Sequence, residues 1–211
     1  SLLQAKSQIA FFSQRVGNLF EIVQKMLMEK DPGNNELLQE NARLLIDNIV
    51  RTESEIRAYI ANISENDLSL SGKQRHEAMR SSLDKLFAIS RICKRMIILF
   101  EDKDRQRTWF SPKQRLNLQN LFREVSISLS ILNANLAGEY HKAGLTEALE
   151  QESRINTLRD TLLKKIPGGV EKGKFSSQSA EFYKEFISFS EKIADLAMET
   201  NQLIASCRND Q

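Results

Sequence analysis

The sequence predicts an all-α protein of six long antiparallel helices, built as two tandem three-helix bundles. Three observations carry that prediction. The 211 residues contain only 8 Gly and 3 Pro, too few breakers for a chain rich in turns. Apolar residues recur at alternating steps of three and four over long stretches, the spacing of one helix face. The order of long helix, short break, long helix, longer loop and long helix occurs twice, an internal repeat. The repeats are expected over 1–104 and 111–207.

In the first repeat, a helix is expected over about 3–29, with Ile9, Phe12, Val16, Leu19, Val23 and Met26 on its seam. Asp31-Pro32-Gly33-Asn34-Asn35 then reads as its stop. A second helix follows over about 36–63 with Leu38, Ala42, Leu45, Ile49, Ile56 and Tyr59 inward, and the polar run 64–71 reads as a loop. The third helix, about 73–103, is the most regular, with Met79, Leu83, Leu86, Cys93, Ile97 and Phe100 in line.

A charged connector over 102–111 ends in Trp109 and Phe110, both expected to pack under the junction. Ser111-Pro112 is an N-cap followed by Pro at the first helical position. Helix four is expected over about 112–141, and helix five over about 144–166, ended by Pro167-Gly168-Gly169. The sixth, over about 181–204, carries Phe182, Phe186, Phe189, Ile193, Leu196, Thr200 and Leu203 on one face. Short connections require neighbouring helices to run antiparallel and bury their seams on each other.

Composition excludes several functions. Charged residues make up 27 % and nearly cancel at +2, which argues against a nucleic-acid binder. The longest apolar run, 96–100, is far short of a membrane span, and no signal-peptide pattern is read. Opening on Ser1 rather than methionine, the chain is expected to be a piece of something longer. Cys93 lies on an apolar seam far from Cys207, as a buried free thiol in a reducing compartment would. Arg91, Lys94 and Arg95 read as a solvated face, and His76 and His141 as surface residues at helix ends. No Cys or Ser stands beside a His, and no Glu-x-x-His occurs, so neither nucleophilic catalysis nor a four-helix carboxylate metalloenzyme is expected.

The pattern that invites chemistry is acidic. Glu191 and Asp195 are four residues apart and project from one side of the sixth helix. Two such steps on neighbouring helices would present carboxylates to one point, which suits a hard cation. The alternative is a solvated acidic face paired with Lys192 or Arg159.

ALEQESRINTLRDTLLKKI, followed by a Gly-containing loop and FSEKIADLAMETNQLI, resembles the PhoU family of phosphate-transport regulators. QAKSQIAFFSQRVGNLFEIVQKML and ESEIRAYIANIS are similar to the opening helices of the PhoU-like domain attached to bacterial sodium/phosphate cotransporters, so the resemblance covers nearly the whole chain. It implies acidic motifs that hold a multinuclear metal cluster on each repeat. In the second repeat Glu191 and Asp195 match in full, whereas the fifth helix offers Glu152 and Asn156, an amide where an Asp is expected, and Ser153 at an often acidic position. In the first repeat Asp84 is followed by Ala88, opposite Ile46 and Val50 in the alignment, so no site is expected there.

The resemblance therefore implies one weakened site for a divalent or trivalent metal at Glu152, Asn156, Glu191 and Asp195. It implies a non-enzymatic regulatory domain of phosphate transport at the cytoplasmic face of the membrane. Its partner would be a membrane transporter domain, fused or separate, of the sodium/phosphate cotransporter type, with a homodimer left open and no nucleic acid. The alternative function is a helical-bundle scaffold or adaptor that binds a partner protein and has no role in phosphate transport.

Overall fold

The computed structural model describes residues 1–209. They form six α-helices: α1 (Leu2–Met28), α2 (Pro32–Ala61), α3 (Leu70–Arg105), α4 (Pro112–Ala137), α5 (Leu145–Glu171) and α6 (Ser177–Ala205). Two single 3₁₀ turns, Glu65–Asp67 and Tyr140–Lys142, interrupt the links before α3 and α5. No strand occurs among the described residues.

Four helices form the centre. α1 packs on α3 and α4, and α6 packs on the same two, so α1, α3, α6 and α4 close a ring around one continuous apolar core. α2 leans on α1 and α3 from outside, and α5 leans on α4 and α6. The Lys6 ammonium donates to the Ala137 carbonyl, and Gln178 donates to Gln106. These contacts set α1 antiparallel to α4 and α6 antiparallel to α3. Phe186 is fully buried at the centre, with its ring 4.5 Å from Phe100, 5.9 Å from Phe110 and 6.3 Å from Phe122. Phe20 of α1 meets Phe122 edge-on at 5.8 Å. Because α6 is covered by α3, α4 and α5, its buried face is wider than the expected stripe and takes in Ala194, Ala197 and Asn201.

Helix ends differ from the sequence expectation where breakers were read as stops. Asp31-Pro32 opens α2 instead of separating it from α1. The Asp31 side chain accepts from the Gly33 N–H, and Pro32 sits in the first turn, where its missing N–H has no helical partner to lose. Pro167-Gly168-Gly169 lies inside α5, which continues to Glu171. Pro167 is on the exposed side, where the carbonyl it leaves free can take water. Gly169 is held by packing, since a Cβ there would meet the Phe175 ring at 2.4 Å. α5 then ends in a Schellman motif: Gly173, at φ 69°, donates to Val170 and Lys174 donates to Gly169. α3 closes the same way around Arg107, a non-glycine residue at φ 51°, with bonds to Asp104 and from Thr108 to Lys103. Helix four stops at Ala137, before the Tyr140–Lys142 turn. The link order is also not repeated, because 138–144 is longer than 172–176 in the second half.

Two side chains, His76 and Trp109, depart from expectation, and Cys93 meets it. His76 is buried, with Nε2 2.9 Å from the Ile60 carbonyl and Nδ1 3.5 Å from Glu65, so it ties the end of α2 to α3. Trp109 is 64 % exposed over the Lys103 ammonium, whereas Phe110 is buried. Cys93 is fully buried, and burial pushes its thiol up to about 12, which removes it as a nucleophile at neutral pH.

Candidate functional site on the α5–α6 face

Glu152, Asn156 and Arg159 follow one another at i, i+4 and i+7 on α5, and Glu191, Asp195 and Glu199 are spaced by four on α6. The packing of α5 on α6 brings these two rows together. They resolve into two separate sets. Arg159 makes an ion pair with Glu191 across the helix interface, reaches Asn156 Oδ1 at 3.4 Å, and holds Asp160 at 3.0 Å. Lys192 stands over the Phe189 ring and does not meet Glu191.

One turn away, half-buried Glu152 faces Asp195. Burial, then the hydrogen bond and charge of Asp195, then the charge of Glu199, push the Glu152 carboxyl from the ordinary 4.5 up to about 7. Two carboxylates this close favour sharing one proton. Glu199 itself is drawn toward α3 by Lys85, at 3.3 Å.

This donor set does not fit a metal cluster. A guanidinium already occupies Glu191, and position 156 supplies a neutral amide, which leaves Glu152 and Asp195 as one carboxylate pair, too few ligands for several ions. Among the described residues no three His, Cys, Asp or Glu side chains are grouped so as to hold a metal ion.

The first half carries a related arrangement that sequence alignment places elsewhere. Asp84 of α3 faces Glu53 and Arg57 of α2, not Ile46 and Val50. Arg57 lies 2.5 Å from both Asp84 and Glu53, and Asp84 is the leading reason its guanidinium is held more firmly protonated. Ile46 sits farther along the bundle, in a groove with Lys94 and Ile97, and Val50 is largely exposed. Each outer helix therefore sends one arginine across to the acidic position of its inner neighbour: Arg57 to Asp84, and Arg159 to Glu191. The Glu53–Arg57 step is visible in sequence as an i, i+4 pair; its partner on α3 depends on the register of two helices and is not.

Buried polar groups fix the register of α5. Gln151 donates to both the carbonyl (2.9 Å) and the carboxylate (2.6 Å) of Glu124 on α4. Asn135 donates to Asn201 at 2.9 Å while accepting from the Gly144 N–H. Such bonds cost little when made and much when broken.

No protein-family profile matches this sequence, and no curated protein does. Solved structures do resemble it. The crystal structure of PhoU from Pseudomonas aeruginosa superposes with a TM-score of 0.81 over 96 % of this chain and 94 % of that one, at 14 % identity. A PhoU-like protein from Shewanella oneidensis superposes at 0.78 over 96 % and 98 %, at 9 % identity. The chain thus has the PhoU-like fold over nearly its whole length.

Proposed function

We propose that this chain is a non-enzymatic regulatory domain of phosphate transport. It acts by contact through its helical surface on a membrane transporter domain of the sodium/phosphate cotransporter type, fused or separate, at the cytoplasmic face. The observation that supports this most is the six-helix PhoU-like fold, shared along 96 % of the chain. No helix among the described residues is long and apolar enough to cross a membrane, so a transporting pore would have to come from another domain or protein.

Regulation in this reading works through shape and charge, not through a bound metal. The α2–α3 and α5–α6 faces present fixed arginine–carboxylate pairs, which give an interface defined positions for charge complementarity. The test is uptake of radiolabelled phosphate by cells of the source organism with the coding segment deleted, then restored. Uptake that changes on deletion and recovers on restoration is the expected result. Unchanged uptake under both phosphate-rich and phosphate-poor growth would favour an adaptor unconnected with phosphate.

A further inference from the structure

A cavity of about 420 Å³ opens between the start of α4, the last turns of α5 and the first turns of α6. Its electrostatics are one-sided. Lys113, Lys165, Lys172 and Lys174 line it and no carboxylate does. None of these four lysines makes an ion pair within the described residues. The groove beneath Trp109 is different, since Glu29, Asp31 and Asp104 stand among its cations.

Backbone chemistry adds to the imbalance. A helix C-terminus would ordinarily offer carbonyl oxygens and partial negative charge. Here the carbonyls of Gly168, Gly169 and Val170 are taken by the N–H groups of Lys172, Lys174 and Gly173. The Schellman turn thereby turns an acceptor-rich helix end into a mount for two lysines. The facing element is the amino end of α4, whose dipole favours an anion.

A second, independent feature points the same way. Gln114 lines the cavity and is 2 % exposed. Its Oε1 accepts from the Ser111 N–H at 2.8 Å and from the Ser179 hydroxyl at 3.2 Å, which fixes which end of the amide is oxygen. Its Nε2 is buried with no acceptor. A buried donor of this kind costs free energy until an acceptor arrives. Tyr183 and Asn117 stand on the same wall, while Leu162, Ile166 and the Phe175 ring supply an apolar side.

We propose that this cavity binds a phosphomonoester group carried on a small apolar or aromatic body. Four compact ammonium charges suit a dianion with three acceptor oxygens better than a single carboxylate. Gln114 Nε2 donates to one of those oxygens, and the Ile166–Phe175 side takes the body. This site is separate from the α5–α6 acidic face and does not depend on the phosphate-transport reading.

Isothermal titration of the protein with phenyl phosphate, inorganic phosphate, and phosphatidylcholine vesicles with and without phosphatidic acid tests it. Phenyl phosphate is expected to bind more tightly than inorganic phosphate. The Lys165→Gln/Lys172→Gln variant, altered only at exposed side chains, should weaken binding about tenfold or more. Gln114→Glu keeps the acceptor for the Ser111 N–H but places a carboxylate at the wall, and should abolish binding. Binding confined to phosphatidic acid vesicles and lost in the lysine variant would identify a lipid headgroup as the source of the phosphomonoester. No binding of any probe at millimolar concentration, or equal binding by the protein and its lysine variant, overturns the proposal.

Discussion

Replacing Glu152 with Gln removes a carboxyl whose titration falls near neutrality and leaves a side chain that can still donate a hydrogen bond to Asp195. In the folded protein Glu152 holds its proton up to about pH 7, against an ordinary value of 4.5. Between those two pH values the folded state binds a proton that the unfolded state has released. Stability therefore falls as pH rises through this window, and the loss is complete above about pH 7. At about 1.36 kcal/mol per unit, the shift sets a ceiling of about 3.4 kcal/mol. The carboxyl is only half-buried and water screens it, so about 1 kcal/mol is the expected size.

The assay is urea denaturation at pH 5.5 and pH 8 for the protein and Glu152→Gln. The protein should lose about 1 kcal/mol more than the variant on going to pH 8, and should be the less stable of the two there by a similar amount. Every other titratable group is common to both proteins and cancels in the comparison. Identical pH dependence in the two would refute the proton-sharing pair. Recovery of the lost stability at pH 8 on adding a divalent cation would show that a metal, and not a proton, belongs between Glu152 and Asp195.

Phe186→Ala should cost about 3–5 kcal/mol in denaturant unfolding, since the ring is fully buried against Phe100, Phe110 and Phe122; a cost under about 1 kcal/mol would mean the ring centre is not the core. Arg107→Gly should stabilise by about 0.5–1 kcal/mol, because relief of a left-handed non-glycine residue outweighs the added unfolded-state entropy, and thermal melting reads the gain as about 1–4 °C. Gly169→Ala should lower stability by about 1–3 kcal/mol through its clash with Phe175, with Phe175→Ala in the same chain relieving part of that loss. Elemental analysis of the purified protein should find well under one metal ion per chain; a stoichiometric metal that disappears in Glu191→Ala would show that Arg159 is displaced from Glu191 in solution.

The helices themselves were legible because each carries a long apolar seam, and burial follows those seams at Ile9, Leu83, Leu118 and Ile193. Their ends were legible only where one residue type has one meaning. Ser111-Pro112 opens α4 as read, with a full capping box to Gln114. Pro32 and Pro167 show the ambiguity: the same residue type starts one helix, where Asp31 caps it, and rides inside another on its exposed side. The carboxylates of the α5–α6 face were visible as residues, but their pairing was not. Whether Glu191 meets a cation or Arg159 depends on the axial register of two helices, which Gln151 and Asn135 fix through bonds to α4 and α6. His76 was misread for the same reason, since its acceptor is a carbonyl sixteen positions away on another helix.

The two arginine bridges separate what holds the fold from what specialises it. The core is carried by α1, α3, α4 and α6, whose apolar faces meet whether or not the outer helices bear a particular charge. α2 and α5 each add an apolar seam to that centre and leave a polar edge against one inner helix. At those edges the acidic side chains of the inner helices meet positive charge carried by the outer helices themselves, Arg57 on α2 and Arg159 on α5. One carboxylate on α3 and one on α6 are each bound to an arginine, Arg57 also holds Glu53, and Glu152 faces Asp195 with its carboxyl pushed up to about 7 by burial and by that neighbour. The backbone superposes on PhoU structures at 14 % identity or less, and the packing of α1, α3, α4 and α6 on one another uses neither bridge.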